Sequence, residues 1–238
     1  MTRPAARLAR AALSGLFFVL FGLFGLLLSL PAVLLAFRPR LVRGLVRAAF
    51  RAFVGLGALT RLFTVSVSGP REVRGRVVVM NHLTLIDVVV LLAALPDSTC
   101  VIKGALRRNP FMRAVVRRVF LVNDEDAEKT VAAGAALLRA GVNVIVFPEG
   151  TRVPFGAAGG KYRRGAARLA LAAGAAVVPV RLAVDPPVLA KGQPWYDVGD
   201  RTVRFSLTFL PELPPAGENT HRDAVALTER MRLAIRGA

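Results

Sequence analysis

The residues best suited to chemistry are His82 and Asp87, in the stretch VVVMNHLTLIDVVV between two apolar runs. A neutral imidazole accepts a proton near pH 7. A carboxylate on its other ring nitrogen fixes the tautomer and stabilises the imidazolium that forms. The pair therefore predicts a general base. The alternative is a structural histidine with Asp87 as a helix-start charge, and the short pattern alone favours that alternative.

A second polar cluster follows another apolar run, in VIVFPEGTR at residues 144–152. Its last residue, Arg152, offers a planar fork of donors that suits a phosphate or a carboxylate. Three more cations stand just before a predicted helix, whose N-terminus itself favours anions; they are Lys161, Arg163 and Arg164. The alternative is an ordinary polar turn. The sequence contains no G-x-S-x-G elbow, so it does not indicate a serine nucleophile.

The elements that must position these residues alternate between strand-like and helix-like patterns from residue 64 onward. This alternation predicts an α/β sheet covered by helices. Strands are expected at 64–68, 76–80, 99–103, 119–123, 143–147, 176–184 and 201–210. Helices are expected at 83–95, 125–141, 165–174 and from Thr220, which can cap the last helix together with Asp223. Each motif follows a predicted strand, and ligands usually bind at such strand-to-helix junctions.

The N-terminal part of the chain is apolar and basic. Residues 11–37 carry no charge, whereas a bilayer core needs about 20 helical residues. Such a run is too long for a signal-peptide core of about 7–15 residues. Arginines on both sides leave its orientation ambiguous. A single span and a kink at Pro31 with both ends on one face are both compatible with the sequence.

Residues 41–63 form a second helical pattern, with Arg43, Arg47 and Arg51 in one stripe. A basic amphipathic helix of this kind suits the plane of a membrane surface. The alternative is a bundle helix with a solvated arginine stripe. Because of the apolar run before it, we expect the membrane role.

Charge and cysteine content exclude several classes of function. The net charge is +18, and the first acidic residue is Glu72. A basic surface needs an anionic partner, and charge beside an apolar run favours an anionic membrane. A nucleic-acid-binding surface would interleave aromatic and basic residues, which is not the pattern here. Cys100, the one cysteine, fits a buried strand and allows neither an internal disulfide nor a Cys/His zinc cluster. We expect no metal and no cofactor.

Together, NHLTLID and FPEGTR resemble the motifs of the 1-acylglycerol-3-phosphate acyltransferase family of lysophospholipid acyltransferases. The pattern N-H-x-[ST]-x-x-D is met by Asn81, His82, Thr84 and Asp87, and F-P-E-G-T-R by residues 147–152. A V-P-V strand at 178–180, a lysine-led stretch from Lys103 and an F-K-x-G-like segment at 162–165 are similar too. The resemblance covers residues 65–215.

The resemblance implies a mixed α/β sheet covered by helices, with membrane-associated helices at 1–63 and a catalytic domain at 64–238. It implies transfer of a fatty acyl group from an acyl-CoA or acyl carrier protein thioester to a hydroxyl of a lysophospholipid such as 1-acylglycerol-3-phosphate. His82 would be the general base and Asp87 its partner. The expected acceptor- and phosphate-binding residues are Lys103, Glu149, Gly150, Thr151, Arg152 and Arg164. We expect the bacterial inner membrane, with the catalytic domain on the cytoplasmic face.

One family motif, G-x-x-F-I-x-R, is altered, since Arg117 replaces the glycine and Asn123 replaces the arginine. By this resemblance, the arginine of the motif helps to hold the acceptor phosphate. The same chemistry on an ornithine-type or aryl polyene lipid is therefore an alternative, unless a nearby base (Arg113, Arg117 or Arg118) compensates. A further alternative is a non-catalytic lipid-binding scaffold, against which both intact motifs argue.

Two other segments leave alternatives open. The basic run from Lys103 to Arg118 belongs to a membrane surface, an anion pocket or a solvated face. The segment KGQPWYDVGDR at 191–201 is either a loop near the acceptor or membrane interface or, slightly favoured, a packed connection between two strands.

Overall fold

The computed structural model describes residues 3–104, 113–123, 126–156 and 160–237, with side chains from residue 7 onward. Its helices are α1 (Arg3–Leu34), α2 (Pro39–Leu59), α3 (Asp87–Ala94), α4 (Arg113–Val119), α5 (Ala127–Arg139), α6 (Gly165–Ala173) and α7 (His221–Arg236). Its strands are β1 (Phe63–Ser68), β2 (Val77–Met80), β3 (Ser98–Lys103), β4 (Leu121–Asn123), β5 (Asn143–Val146), β6 (Val177–Asp185) and β7 (Val203–Phe209). Most of the lysine-led stretch noted above lies outside the described residues.

The strands form one mixed sheet in the order β1-β7-β6-β2-β5-β3-β4. The five strands from β6 to β4 are parallel. At the other edge β7 runs antiparallel to β6, and β1 pairs parallel with β7. The predicted fold class, a mixed sheet covered by helices, is confirmed.

Strand β2 shows how the sheet is covered on both faces. Successive side chains of a strand point to opposite faces. Val77 and Val79 pack in a core with residues of α5, α6 and α7, whereas Val78 and Met80 pack in a core with residues of α1 to α4. All four residues are fully buried, which is why β2 reads as a continuous apolar run rather than an alternating one.

The sheet order places the two sequence motifs next to each other. Strand β2 is parallel to β5, with Val79 opposite Val146. NHLTLID leaves the carboxyl end of β2, and FPEGTR leaves the carboxyl end of β5. Two motifs that are distant in sequence therefore leave the sheet side by side at one edge.

Two predicted elements differ from the structure. The predicted strand at 119–123 is only Leu121–Asn123, because residues 113–119 form α4, a helix that the sequence pattern did not predict. The helix expected at 83–95 begins at Asp87, since residues 83 and 84 turn around its carboxylate. The capping of α7 is confirmed, because Thr220 and Asp223 form a capping box.

Helix α1 is packed against the rest of the chain near its start and continues through Pro31. The guanidinium of Arg10 donates to the carbonyls of Arg61, Leu62, Gly199 and Arg201. Two turns later, the ring of Phe17 lies 4.2 Å from that of Phe53 on α2. A single apolar core includes Phe17 and Phe205 of β7. The boundary between residues 63 and 64 stays a prediction.

The opposite face of α1 is apolar and exposed. Six residues spaced by three or four form this stripe: Leu16, Val19, Leu23, Leu27, Leu30 and Leu34. By length and composition, Arg7–Leu34 is the one helix among the described residues that is able to cross a membrane. An exposed apolar surface of this kind marks a site of interaction.

Only part of the arginine stripe of α2 is available for contact outside the protein. Arg43 is nearly buried, and its Nε lies 2.6 Å from Oδ1 of Asp97, just before β3. The expectation that Arg43 faces the membrane with Arg47 and Arg51 is therefore wrong. Its charge is used inside the protein to hold α2 against the start of β3.

Candidate active site

The turn after β2 begins with a side chain that imitates backbone pairing. Nδ2 of Asn81 donates to the carbonyl of Leu182 at 2.9 Å, and its Oδ1 accepts from the N–H of Leu182 at 2.8 Å. The pairing of β2 with β6 thus continues for one more residue while the main chain turns away. Asn81 fixes the point from which His82 projects. Its position at a strand end is the only signal of this role in the sequence.

Asp87 is completely buried and organises the turn. Its Oδ2 accepts from Nδ1 of His82 at 2.8 Å, from the N–H of Leu83 at 2.7 Å and from the N–H of Thr84 at 2.8 Å. Its Oδ1 accepts from the hydroxyl of Thr84. Because a carboxylate only accepts, the neutral His82 ring carries its proton on Nδ1. Nε2 is then left as an acceptor.

The second motif holds the main chain of His82. The N–H of His82 donates to Oε2 of Glu149 at 2.7 Å. Its carbonyl accepts from the N–H of Val153 at 2.8 Å. The imidazole lies beside the ring of Phe147, with 4.4 Å between ring centroids. The position and orientation of the imidazole are therefore set by both motifs.

Glu149 itself is buried beneath the turn. Burial raises the pKa of its carboxyl group, and the hydrogen bond from His82 opposes part of that rise. Glu149 is not among the residues that line the cavity next to His82. The contact with His82 gives it a positioning role, and its expected contact with the acceptor stays a prediction.

A cavity of about 530 Å³ opens beside His82. Its polar lining comprises Lys103, Asn123, Thr130, Thr151, Arg152, Arg163 and Arg168, and its apolar lining includes Val88, Val101, Leu121, Val131, Val146 and Leu169. Of the residues expected to bind the acceptor, Lys103, Gly150, Thr151 and Arg152 lie here. The cavity therefore offers both cationic and apolar surface beside His82.

Arg152 is tied to the segment that follows β6. Its Nη1 donates to the carbonyls of Leu189 and Ala190 at 3.1 and 3.2 Å. The carbonyl of Leu189 also accepts from the N–H of Leu85, in the turn that carries His82. The φ of Leu189 is 54°, a left-handed conformation that is uncommon for leucine.

The same segment reaches α1. The carbonyl of Trp195 accepts from the hydroxyl of Ser14 at 3.1 Å, and its ring lies 5.5 Å from that of Phe18. Val188 and Val198 are buried. Residues 191–201 thus connect β6 to β7 and touch the N-terminal helix, but most of them are exposed. The choice between a packed connection and a loop near the acceptor or membrane interface stays a prediction.

Two neighbouring arginines before α6 have different surroundings. Arg164, which was expected to bind phosphate, does not line the cavity, and its guanidinium contacts Nε2 of His221 at the start of α7. Arg163 does line the cavity. The F-K-x-G-like pattern at 162–165 places Arg163, and not Arg164, at the basic position. This was the one signal in the sequence that could have selected Arg163.

The altered family motif contributes Asn123 to the cavity wall. None of the suggested compensating residues, Arg113, Arg117 and Arg118 on α4, lines the cavity. Arg168 does, although its guanidinium pairs with Glu128. Of the basic run from Lys103 to Arg118, only Lys103 among the described residues contributes to this cavity.

Comparisons with known proteins agree with this arrangement. A family model described as Acyltransferase matches residues 64–183, just over half of the chain. The crystal structure of the 1-acyl-sn-glycerophosphate (LPA) acyltransferase PlsC from Thermotoga maritima is similar, with a TM-score of 0.71 and 21% sequence identity over 98% of each chain. At that identity the similarity shows the fold. No curated protein matches the sequence.

Proposed function

Since the chain belongs to the acyltransferase family, we propose that it transfers a fatty acyl group from an acyl-CoA or acyl carrier protein thioester to a hydroxyl of a lysophospholipid such as 1-acylglycerol-3-phosphate. The observation that carries the proposal is the His82–Asp87 pair, with Nδ1 bound to a buried carboxylate and the ring facing a cavity with cationic and apolar walls. The similar PlsC acts on 1-acyl-sn-glycerophosphate, which supports this choice of acceptor.

In the proposed reaction Nε2 of His82 takes the proton of the acceptor hydroxyl as its oxygen attacks the thioester carbonyl carbon. The carbon–sulfur bond then breaks, the ester forms, and the thiolate leaves with the proton from the imidazolium. Asp87 stabilises the imidazolium through Nδ1–H. No covalent enzyme intermediate is needed.

Cations on the cavity wall would hold the anionic parts of the substrates. Arg152 and Lys103 line the cavity together with Gly150 and Thr151. The guanidinium of Arg152 is held in place by hydrogen bonds to two carbonyls. A phosphate would therefore meet donors whose position is already fixed. The apolar residues of the same cavity would accommodate acyl chain.

We place the protein on the cytoplasmic face of the bacterial inner membrane, where thioester donors are available. The exposed stripe of α1 would enter the lipid while Arg10 keeps the helix on the catalytic body. A helix fixed in this way would lie along the membrane rather than cross it. Each arginine near an anionic surface contributes about 1 kcal/mol of attraction.

The test is acyl transfer in detergent micelles by wild type and His82→Ala, with labelled acyl-CoA or acyl carrier protein thioester and a panel of lysolipids. The panel includes lysophosphatidate and acceptors without glycerol phosphate, because Asn123 lines the cavity. We expect transfer by wild type and a loss of at least about 100-fold in His82→Ala. Transfer that survives this substitution would refute the mechanism. No transfer to any acceptor by wild type would favour the scaffold alternative.

A further inference from the structure

We propose that Arg163, seated on Gly150, forms a phosphate-binding site in the wall of the catalytic cavity. The inference rests on the proposed function only for the identity of its ligands. Arg163 lines the cavity that His82 also lines, whereas the adjacent Arg164 turns toward α7.

The main chain of Arg163 is fixed to the FPEGTR turn. Its N–H donates to the carbonyl of Pro148 at 2.7 Å. The cation is therefore anchored next to the turn that also carries Arg152. Little ordering of this part of the chain is then left to occur when a ligand binds, which favours affinity.

Gly150 provides the seat for the side chain of Arg163. A Cβ at residue 150 would lie 3.0 Å from Nε and 3.3 Å from Cδ of Arg163. The φ of Gly150 is 68°, a conformation that glycine adopts without strain. Glycine thus suits both the left-handed turn and the close approach of the arginine that lies across it.

Among the described residues, Arg163 is the cavity arginine with the most free donors. Arg152 is bonded to two carbonyls, and Arg168 is paired with Glu128. Among the described residues Arg163 has no side-chain hydrogen bond or ion pair. Its planar fork presents five N–H donors, and such a fork matches the oxygens of a phosphate.

The first turn of α6 adds to this site. Gly165 and Ala166 line the same cavity, and no side chain caps the helix. Uncapped N–H groups at a helix start favour an anion. These backbone donors of α6 lie beside the charge of Arg163, so the two together offer an anion both a cation and N–H groups.

The ligand class is a phosphate ester. In the proposed reaction it has two sources, the head group of the acceptor lysolipid and the phosphates of coenzyme A. Each source carries a phosphate group, whose oxygens, arranged tetrahedrally around phosphorus, can accept from a guanidinium. The experiment must therefore separate the acceptor from the donor.

Arg163→Gln and Arg164→Gln form a matched pair, because the residues are adjacent and identical but only Arg163 lines the cavity. Binding of coenzyme A and of lysophosphatidate to each full-length variant in detergent micelles would be measured by titration calorimetry. We expect Arg163→Gln to weaken one of the two ligands by roughly 10- to 100-fold, Arg163→Lys to weaken it less, and Arg164→Gln to bind within about two-fold of wild type. The ligand that weakens identifies the source of the phosphate, and the KM for the same substrate should rise more than kcat falls.

The proposal is overturned if wild type binds neither ligand, or if Arg163→Gln binds both as Arg164→Gln does. These results are separable from those for acyl transfer. Weakened binding without transfer by wild type would keep the phosphate site and refute the proposed reaction. Acyl transfer by wild type, together with unaltered ligand binding in Arg163→Gln, would support the proposed reaction and refute the phosphate site.

Discussion

Oε2 of Glu149 lies 2.7 Å from the backbone nitrogen of His82, so the acid of the second motif holds the main chain of the residue that would act as the base. Family resemblance assigned Glu149 to the acceptor. The structure gives it a buried contact within the protein, which leads to the first prediction, while its contact with the acceptor stays a prediction.

Glu149→Gln should change how stability depends on pH. Burial raises the native pKa of Glu149 above its unfolded value, so the native state binds the proton more tightly. Its contribution to stability is full below the unfolded pKa and is lost as pH rises through the native pKa. We expect the Glu149→Gln variant, whose amide oxygen keeps an acceptor for His82, to gain stability relative to wild type across that window.

Thermal denaturation in detergent micelles at a series of pH values measures this difference. Glu149→Ala is the comparison that removes the acceptor, and it should cost about 1–3 kcal/mol. A constant difference between Glu149→Gln and wild type at all pH values would contradict the assignment.

Asp87→Asn should lower acyl transfer by at least about 100-fold, because the amide no longer stabilises an imidazolium on His82. The matched control is Thr84→Val, which removes the hydrogen bond to the other oxygen of the same carboxylate. That variant should lose about 1–3 kcal/mol of stability but keep most of its activity. Steady-state rates and denaturation midpoints separate the two effects. Equal loss of activity in both variants would show that Asp87 acts by holding the turn together and not by stabilising an imidazolium on His82.

Trp195 should report on contact with lipid. It is the only tryptophan, it is 44% exposed, and it packs on Phe18 beside the apolar stripe of α1. Interfacial tryptophans sit at the level of lipid head groups. On transfer from detergent to anionic vesicles we expect quenching by lipids brominated near the head group. Absence of quenching in protein that sediments with the vesicles would show that this part of α1 faces away from the membrane.

Arg43 and Arg40 should differ in their coupling to Asp97. Nε of Arg43 lies 2.6 Å from one carboxylate oxygen and its side chain is 8% exposed, whereas Arg40 is 3.2 Å from the other oxygen and 72% exposed. Double-mutant cycles with Arg→Gln and Asp97→Asn should give about 1–3 kcal/mol for Arg43 and less than about 1 kcal/mol for Arg40. Equal coupling energies would contradict the internal role of Arg43.

Much of the fold was predictable because its strands are short, apolar and separated by helical patterns. The parallel core of the sheet and the junctions after β2 and β5 follow from that alternation. Helix α4 was missed because RAVVRRV is rich in valine, which favours strands; in the structure Val115 and Val116 of this helix are buried.

The sequence predicted which motifs form the site, but not which way each arginine side chain points. His82 and Asp87 lie close in sequence, so their pairing could be expected. Arg163 lies across Gly150 and lines the cavity, and Arg43 is buried against Asp97. Neither contact is encoded in a local pattern, and each exists only after the sheet has formed.

The carbonyl of Leu189 accepts from the N–H of Leu85, in the turn that carries His82, and from Nη1 of Arg152. One oxygen atom, from a segment outside both motifs, thus contacts both the turn that carries His82 and the guanidinium of Arg152. Insertions or substitutions after β6 would alter the spacing between these two groups while NHLTLID and FPEGTR stay unchanged. Two chains with identical NHLTLID and FPEGTR motifs can therefore differ in the distance between the imidazole and the guanidinium.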